Sequence, residues 1–294
     1  MRARLAKYTI LLIAFLTIAS GAWAHDLPRP EAGKKIHVFL LAGQSNMEGR
    51  ADGRRLTEDD RNRLAKAQER VQLAYNREPI KPLDVVKPHP SIEENYHRDR
   101  IFGPELFFGI AMSEVWPDEK FLFIKRTEGA TTLLGCWNPE WSSEKAALMG
   151  EENDPKLYSD FVDYIQETLS GYDPDEYEIR AMLWVQGEGD SGNEIAAQQY
   201  GDNLRNLIEH VRKDVDVPNL PFLLFQVGKG EVVKGMKRTA QEVENVTLIP
   251  QSQDVDSTDF YPKMENGHTN YEGMKKLGER FAEVFLSDYG RKQD

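Results

Sequence analysis

The chain has 294 residues, 40% of them hydrophobic and 29% charged, with a formal net charge of −12. That length and apolar content support a sizeable core and exclude a mainly disordered chain, with one large domain or two small ones both possible on length alone. The acidic balance excludes a general attraction for nucleic acid or anionic lipid; the single cysteine, Cys136, excludes an intrachain disulfide and reads as a small buried hydrophobe.

The first 24 residues stand apart from the rest. "MRARLAK" is basic, "YTILLIAFLTIAS" is apolar, and "AWA" precedes His25. This three-part pattern predicts a secretory signal peptide cleaved after Ala24, leaving residues 25–294 as a secreted or periplasmic protein. The alternative is an uncleaved anchor, but the apolar run is short for a membrane span, which needs ~20 residues. No later segment is apolar over that length, so no membrane contact is expected after cleavage.

From residue 35 onward, strand and helix patterns alternate. "KIHVFLLAG" (35–43) predicts a buried strand, continuous in aliphatic residues and ended by Gly43. "RVQLAYN" (70–76) is a shorter strand. "GPELFFGIAMSEVW" (103–116) predicts a helix with Pro104 in its first turn. "KFLFIKR" (120–126) is a strand, and 155–171 an amphipathic helix with Leu157, Phe161, Tyr164, Ile165, Thr168 and Leu169 on one face. Residues 177–190 form a strand running into a glycine-bearing loop, and 193–215 a long helix. A strand at 220–228, a helix at 231–244, a strand at 245–251 and a last helix at 270–290 complete the pattern. Residues 48–70 and 77–103 are polar and irregular, and read as surface excursions.

Strands alternating with long helices imply parallel pairing with right-handed crossovers. Continuous apolar strands imply a sheet covered on both faces. The expectation is one domain: a three-layer α/β/α sandwich around a mainly parallel sheet. Ligands of such sheets bind beyond the carboxyl ends of the strands. "GQSNM" places Ser45 at that position, just after the first strand.

A serine nucleophile needs a base, usually His, and often an acid that orients the His. Of the six histidines, His25 would begin the mature chain, His37 lies inside the first strand, and His210 lies in a long helix. His89 and His97 fall on an excursion. His268 stands in "MENGHTNYEG", between the last strand and the last helix, at the same sheet edge as Ser45. Glu265 precedes it by three residues, and Gly267 permits a tight turn. An acyl-transfer intermediate also needs donors for its oxyanion. "KRTEGATT" offers the Gly129 N–H and "WVQGEGD" the Gln186 amide, each in a loop after a strand. No histidine spacing suggests a metal site, and no cofactor is expected.

"GQSNMEGR", "FGPELFFG", "KRTEGATTLLGCWNP", "WVQGEGD" and "H…EG…LGERFA" occur in an order that resembles the SGNH-hydrolase superfamily. The resemblance is to its sialate O-acetylesterase and acetylxylan esterase branch, of carbohydrate esterase family 6 type, over residues 35–287. It implies a flavodoxin-like sandwich that hydrolyses acetyl esters on sugars with a serine, a histidine, an acid and no metal. Carried over by position, Ser45 is the nucleophile and its N–H one oxyanion donor. Gly129 and Gln186 are the others, His268 is the base and Glu265 the acid.

Three positions depart from the family pattern. Ala130 stands where a second Gly is usual, which is costly if the backbone there needs a positive φ. Glu265 stands where Asp is usual, so Asp254 and Asp256 are rival acids. Gly189 stands where the superfamily carries Asn, which is why the amide role falls to Gln186. Glu188 and Asp190 read as structural carboxylates or sugar-hydroxyl acceptors; Arg50, Glu105 and Lys125 read as buried polar partners. Trp137 and Trp141 are candidates for stacking on a sugar or for core packing. The function expected is a secreted carbohydrate O-acetylesterase acting on acetylxylan or sialic-acid type substrates. A non-catalytic carbohydrate-binding protein on the same scaffold is the alternative.

Overall fold

Eight consecutive buried residues make β1 (Ile36–Gly43), and a strand apolar in both directions requires a layer over each face. In a computed structural model that describes residues 29–290 apart from residue 32, β1 is the middle of a seven-stranded sheet. The expected signal peptide, residues 1–24, lies outside the described residues. After β1 come α1 (Ser45–Glu48), β2 (Ala51–Asp52), α2 (Glu58–Ala67), β3 (Val71–Tyr75), β4 (Lys81–Pro82) and α3 (Pro90–Tyr96). Next are β5 (Ile101–Phe102), α4 (Glu105–Val115), β6 (Lys120–Thr127), α5 (Ser143–Met149) and α6 (Leu157–Leu169). The chain continues with β7 (Tyr177–Val185), α7 (Glu194–Asp214), β8 (Phe222–Phe225), α8 (Glu231–Glu242), β9 (Val246–Ile249) and α9 (Tyr271–Asp288).

The strand order is β4-β3-β6-β1-β7-β8-β9. Every pairing is parallel except β3 with β4, where Gln72 faces Pro82 across an exposed two-residue edge. The sandwich expected from the alternating pattern is the observed fold. Phe39 packs its ring against Phe108 of α4 and Phe285 of α9 at 5.0 and 4.9 Å. Trp184, opposite Ala42 in the β1–β7 register, points to the other face and packs on Trp137, while Phe161 of α6 packs on Trp137 in turn. Successive strand residues point to opposite faces, so α4 and α9 cover one side of the sheet and α6 the other. Burying such a ring contributes about 1.5–3 kcal/mol.

The two expected excursions hold more structure than their polarity suggests. Residues 48–70 contain α2, capped by the Thr57 hydroxyl accepting from Asp60 N–H. Its inward face is anchored by a charge, which hides it from a search for apolar stripes. Asp60 is fully buried and accepts from the Tyr271 hydroxyl at 2.5 Å and Lys275 at 2.6 Å. Burial opposes its ionisation, but the bonds from Lys275, Tyr271 and Thr57 outweigh this and hold the carboxyl at about 2. Residues 77–103 contain α3, opened by Pro90 and closed by a left-handed His97, and β5, which pairs with β2. The seven-residue α5 was also not expected. Among the described residues, no helix is long and apolar enough to cross a membrane.

Candidate active site

β6, β1 and β7 lie side by side, and the loops leaving their carboxyl ends carry Gly129, Ser45 and Glu188. Gly43 lets β1 leave the sheet against β7: a Cβ there would meet the Val185 carbonyl oxygen at 2.1 Å. One residue later the chain turns into α1, all four of whose residues are buried. The loop between β9 and α9 brings His268 over Ser45 from a separation of 223 residues, and His268 Nε2 lies 3.0 Å from Ser45 Oγ. Both line a cleft of about 680 Å³ with Gln44, Gly129, Ala130, Glu188, Ile92 and Tyr96.

The Ser45 side of this cleft is built from buried charge. Lys125 and Glu105 are fully buried and pair at 2.5 Å, and Lys125 also donates to the Glu48 carbonyl at 3.2 Å. Burial lowers the lysine's affinity for its proton, and the Glu105 carboxylate beside it works against that. Glu48 pairs with Arg50 at 2.8 Å. A Cβ on Gly129 would stand 3.1 Å from Arg50 Nη2 and 4.0 Å from Ser45 Cβ, so glycine keeps this loop close to the serine. The N–H groups of Ser45 and Gly129 have no acceptor among the described residues.

On the other side, the hydrogen-bonding partners of the His268 Nδ1 are uncharged. Asn46 donates to Glu188 at 2.6 Å and accepts from the Thr269 N–H at 3.0 Å, joining the serine turn to the histidine loop. Nδ1 of His268 faces the Tyr96 hydroxyl at 3.2 Å and Asn266 Oδ1 at 3.3 Å. Burial, then the charges of Arg50 and Lys263, lower the imidazole to about 4. It is therefore neutral at pH 7.

A family model described as carbohydrate esterase, sialic acid-specific acetylesterase, matches residues 35–287. The chain belongs to that family. A probable carbohydrate esterase of Arabidopsis thaliana is 32% identical over 115 residues, 38% of this chain, and the match spans 42% of that protein's length. The solved structure of the Arabidopsis protein covers 87% of this chain and 100% of its own, at 21% identity and TM-score 0.62. NanS covers 88% and 98% at 15% identity and TM-score 0.60. A carbohydrate acetylesterase from Xanthomonas citri covers 88% and 57% at 14% identity and TM-score 0.58. At these identities the three solved structures share the fold with this chain.

The fold brings Ser45, Gly129 and His268 together, but it places four other sequence-expected residues, Gln186, Glu265, Asp254 and Asp256, elsewhere. Gln186 is fully buried, and its amide donates to Asp190 at 2.6 Å and to the Thr131 carbonyl at 3.1 Å, so it does not line the cleft. Burial pushes the Asp190 carboxyl up to about 6, against bonds from Leu133, Gln186 and Leu134; its role is to hold loops together. Gln44 lines the cleft instead, and its Oε1 accepts from the Gly187 and Gly189 N–H groups. Glu265 is exposed and makes no hydrogen bond or ion pair with His268 among the described residues, because its turn faces solvent. Asp254 and Asp256 are exposed too, and Asp254 accepts from the Asp256 N–H within its own loop.

Trp137 is fully buried against Trp184 and donates to Thr131, so it is a core residue and not a sugar platform. Trp141 lies under the Lys156 ammonium at 3.9 Å, outside the cleft. Ala130 does sit at a positive φ of 61°, the condition under which it is costly. Sequence reasoning missed Tyr96, Asn266 and Asn46. Asn46 and Asn266 each adjoin a singled-out motif, whereas nothing near Tyr96 in "NYHRD" marks it.

Proposed function

We propose that this carbohydrate esterase removes O-acetyl groups from acetylxylan or sialic-acid type substrates through a serine–histidine mechanism. The observation that carries the reading is the 3.0 Å approach of a neutral His268 Nε2 to Ser45 Oγ in the wall of the cleft. Ser45 Oγ attacks the acetyl carbonyl carbon as its proton passes to Nε2. Negative charge builds on the carbonyl oxygen, where the unpartnered N–H groups of Ser45 and Gly129 are the candidate donors. Nε2 then returns the proton to the departing sugar oxygen, and water attacking through the same base releases acetate. An acetyl group is small, and a loop-walled cleft at the sheet edge is sufficient to hold it beside a sugar.

Export with cleavage after Ala24 belongs to the same proposal. It rests on residues 1–24 alone, and amino-terminal sequencing of the secreted protein tests it. For the chemistry, acetate release from 4-nitrophenyl acetate and acetylated xylan is the assay. Ser45→Ala and His268→Ala are expected to lower kcat by ~10³-fold or more while leaving the circular-dichroism spectrum unchanged. Full activity in either variant rejects the mechanism. A folded wild-type protein that binds acetylated glycans without releasing acetate supports the carbohydrate-binding reading instead.

A further inference from the structure

The side of His268 that faces away from Ser45 is where a serine hydrolase usually keeps a carboxylate. Among the described residues none stands there: two uncharged oxygens, Tyr96 Oη and Asn266 Oδ1, lie 3.2 and 3.3 Å from Nδ1. Resting on the esterase reading, we propose that Tyr96 and Asn266 are positioning residues that hold His268 in its working tautomer in place of the triad acid.

The hydrogen-bonding inventory supports this. Asn266 Oδ1 also lies 3.2 Å from the His268 backbone N–H, which donates to it and thereby identifies that atom as the oxygen. An amide oxygen only accepts, so a hydrogen bond between the two requires the hydrogen to sit on Nδ1. That leaves Nε2 with a lone pair aimed at Ser45, the arrangement a general base requires. Tyr96 Oη supplies a second acceptor to Nδ1–H and keeps its own proton. During attack the serine proton moves to Nε2, and Nδ1–H stays where it is.

Tyr96 is held as a positioning residue must be. It ends α3, and the left-handed His97 turns the chain away directly after it. Its ring meets His268 edge-on at 5.9 Å and carries the guanidiniums of Arg50 and Arg98 at 5.8 and 5.7 Å. Arg98 in turn donates to the Arg50 carbonyl and to Met264 Sδ, four residues before His268. The tyrosine is thus tied to both the serine loop and the histidine loop.

The test is steady-state kinetics on 4-nitrophenyl acetate with Tyr96→Phe, Asn266→Asp and Glu265→Gln. One lost neutral hydrogen bond predicts a kcat about tenfold lower for Tyr96→Phe, with KM within about twofold. Glu265→Gln is expected to match the wild type. Asn266→Asp installs a carboxylate at Nδ1 and should move the acid limb of the pH–rate profile upward by about one unit, a shift that a packing role would not produce. Imidazole ¹⁵N shifts of wild-type His268 should report a neutral ring protonated at Nδ1, which keeps the test open if Tyr96→Phe does not fold. A Ser45-dependent enzyme that ignores Tyr96→Phe, is crippled by Glu265→Gln, or carries its proton on Nε2 overturns this inference alone. A wild type without Ser45-dependent hydrolysis overturns the esterase reading, and this inference with it.

Discussion

Ser45 and His268 meet across one cleft, yet the chain secures them by different means. The serine turn is clamped from inside the core, by Lys125 bonded to the Glu48 carbonyl and to Glu105, with neither side chain exposed. The imidazole of His268 is set by uncharged partners, Tyr96 and the Asn266 of its own turn, with Asn46 accepting from the neighbouring Thr269 N–H. Buried ions hold geometry tightly but leave an uncompensated charge when one partner is lost. Neutral hydrogen bonds are individually weaker and can be lost one at a time. Ser45 is therefore rigidly held, while the setting of His268 is adjustable.

The sharpest way to break this comparison is Lys125→Met. It strands Glu105 in the core, and a loss of about 3–5 kcal/mol is expected in urea unfolding. Adding Glu105→Leu should restore most of that stability, because the stranded charge is gone. A single variant as stable as the wild type would show that the serine side is not held by charge.

The pH dependence probes the other side. With His268 lowered to about 4, kcat/KM should be flat from neutral pH down to about 5 and fall tenfold per unit well below 4, as the base becomes protonated. A limb near 6.5, the ordinary histidine value, would instead mean that the ring is hydrated in solution and does not feel the burial that lowers it here.

The smallest effect is expected at Ala130. Replacing it by Gly relieves a side chain at φ 61° and should stabilise the fold by about 0.5–1 kcal/mol, seen as a higher urea midpoint. If stability falls instead, the methyl group packs usefully against the cleft.

Ser45, Gly129 and His268 were legible because each lies at a break in hydrophobic pattern, and strand ends at one sheet edge converge whatever their side chains do. The Ala130 strain was legible for a related reason: it follows from one backbone position beside one residue type. Gln186 and Glu265 were not, although both lie in the right loops. Which way each side chain turns depends on groups that no local pattern reports. Asp190, four residues after Gln186, claims the amide, and the turn through Gly267 at φ 86° leaves Glu265 in solvent. Tyr96 lies 172 residues from the ring it touches, on a segment whose polarity read as an irregular excursion. α3 is too short to show a helical stripe, and α2 turns the carboxylate of Asp60 inward.

The short antiparallel strand β4 has a consequence beyond the cleft. A parallel sheet ordinarily ends in a row of free amides and carbonyls on which another chain can add a strand. Here that border is finished by Lys81 and Pro82, both exposed. Proline has no amide hydrogen to offer, lysine would bring its charge into any added strand, and two residues give little length to pair with. This side of the sheet is guarded against edge-to-edge aggregation, so that the molecule keeps to itself at high concentration.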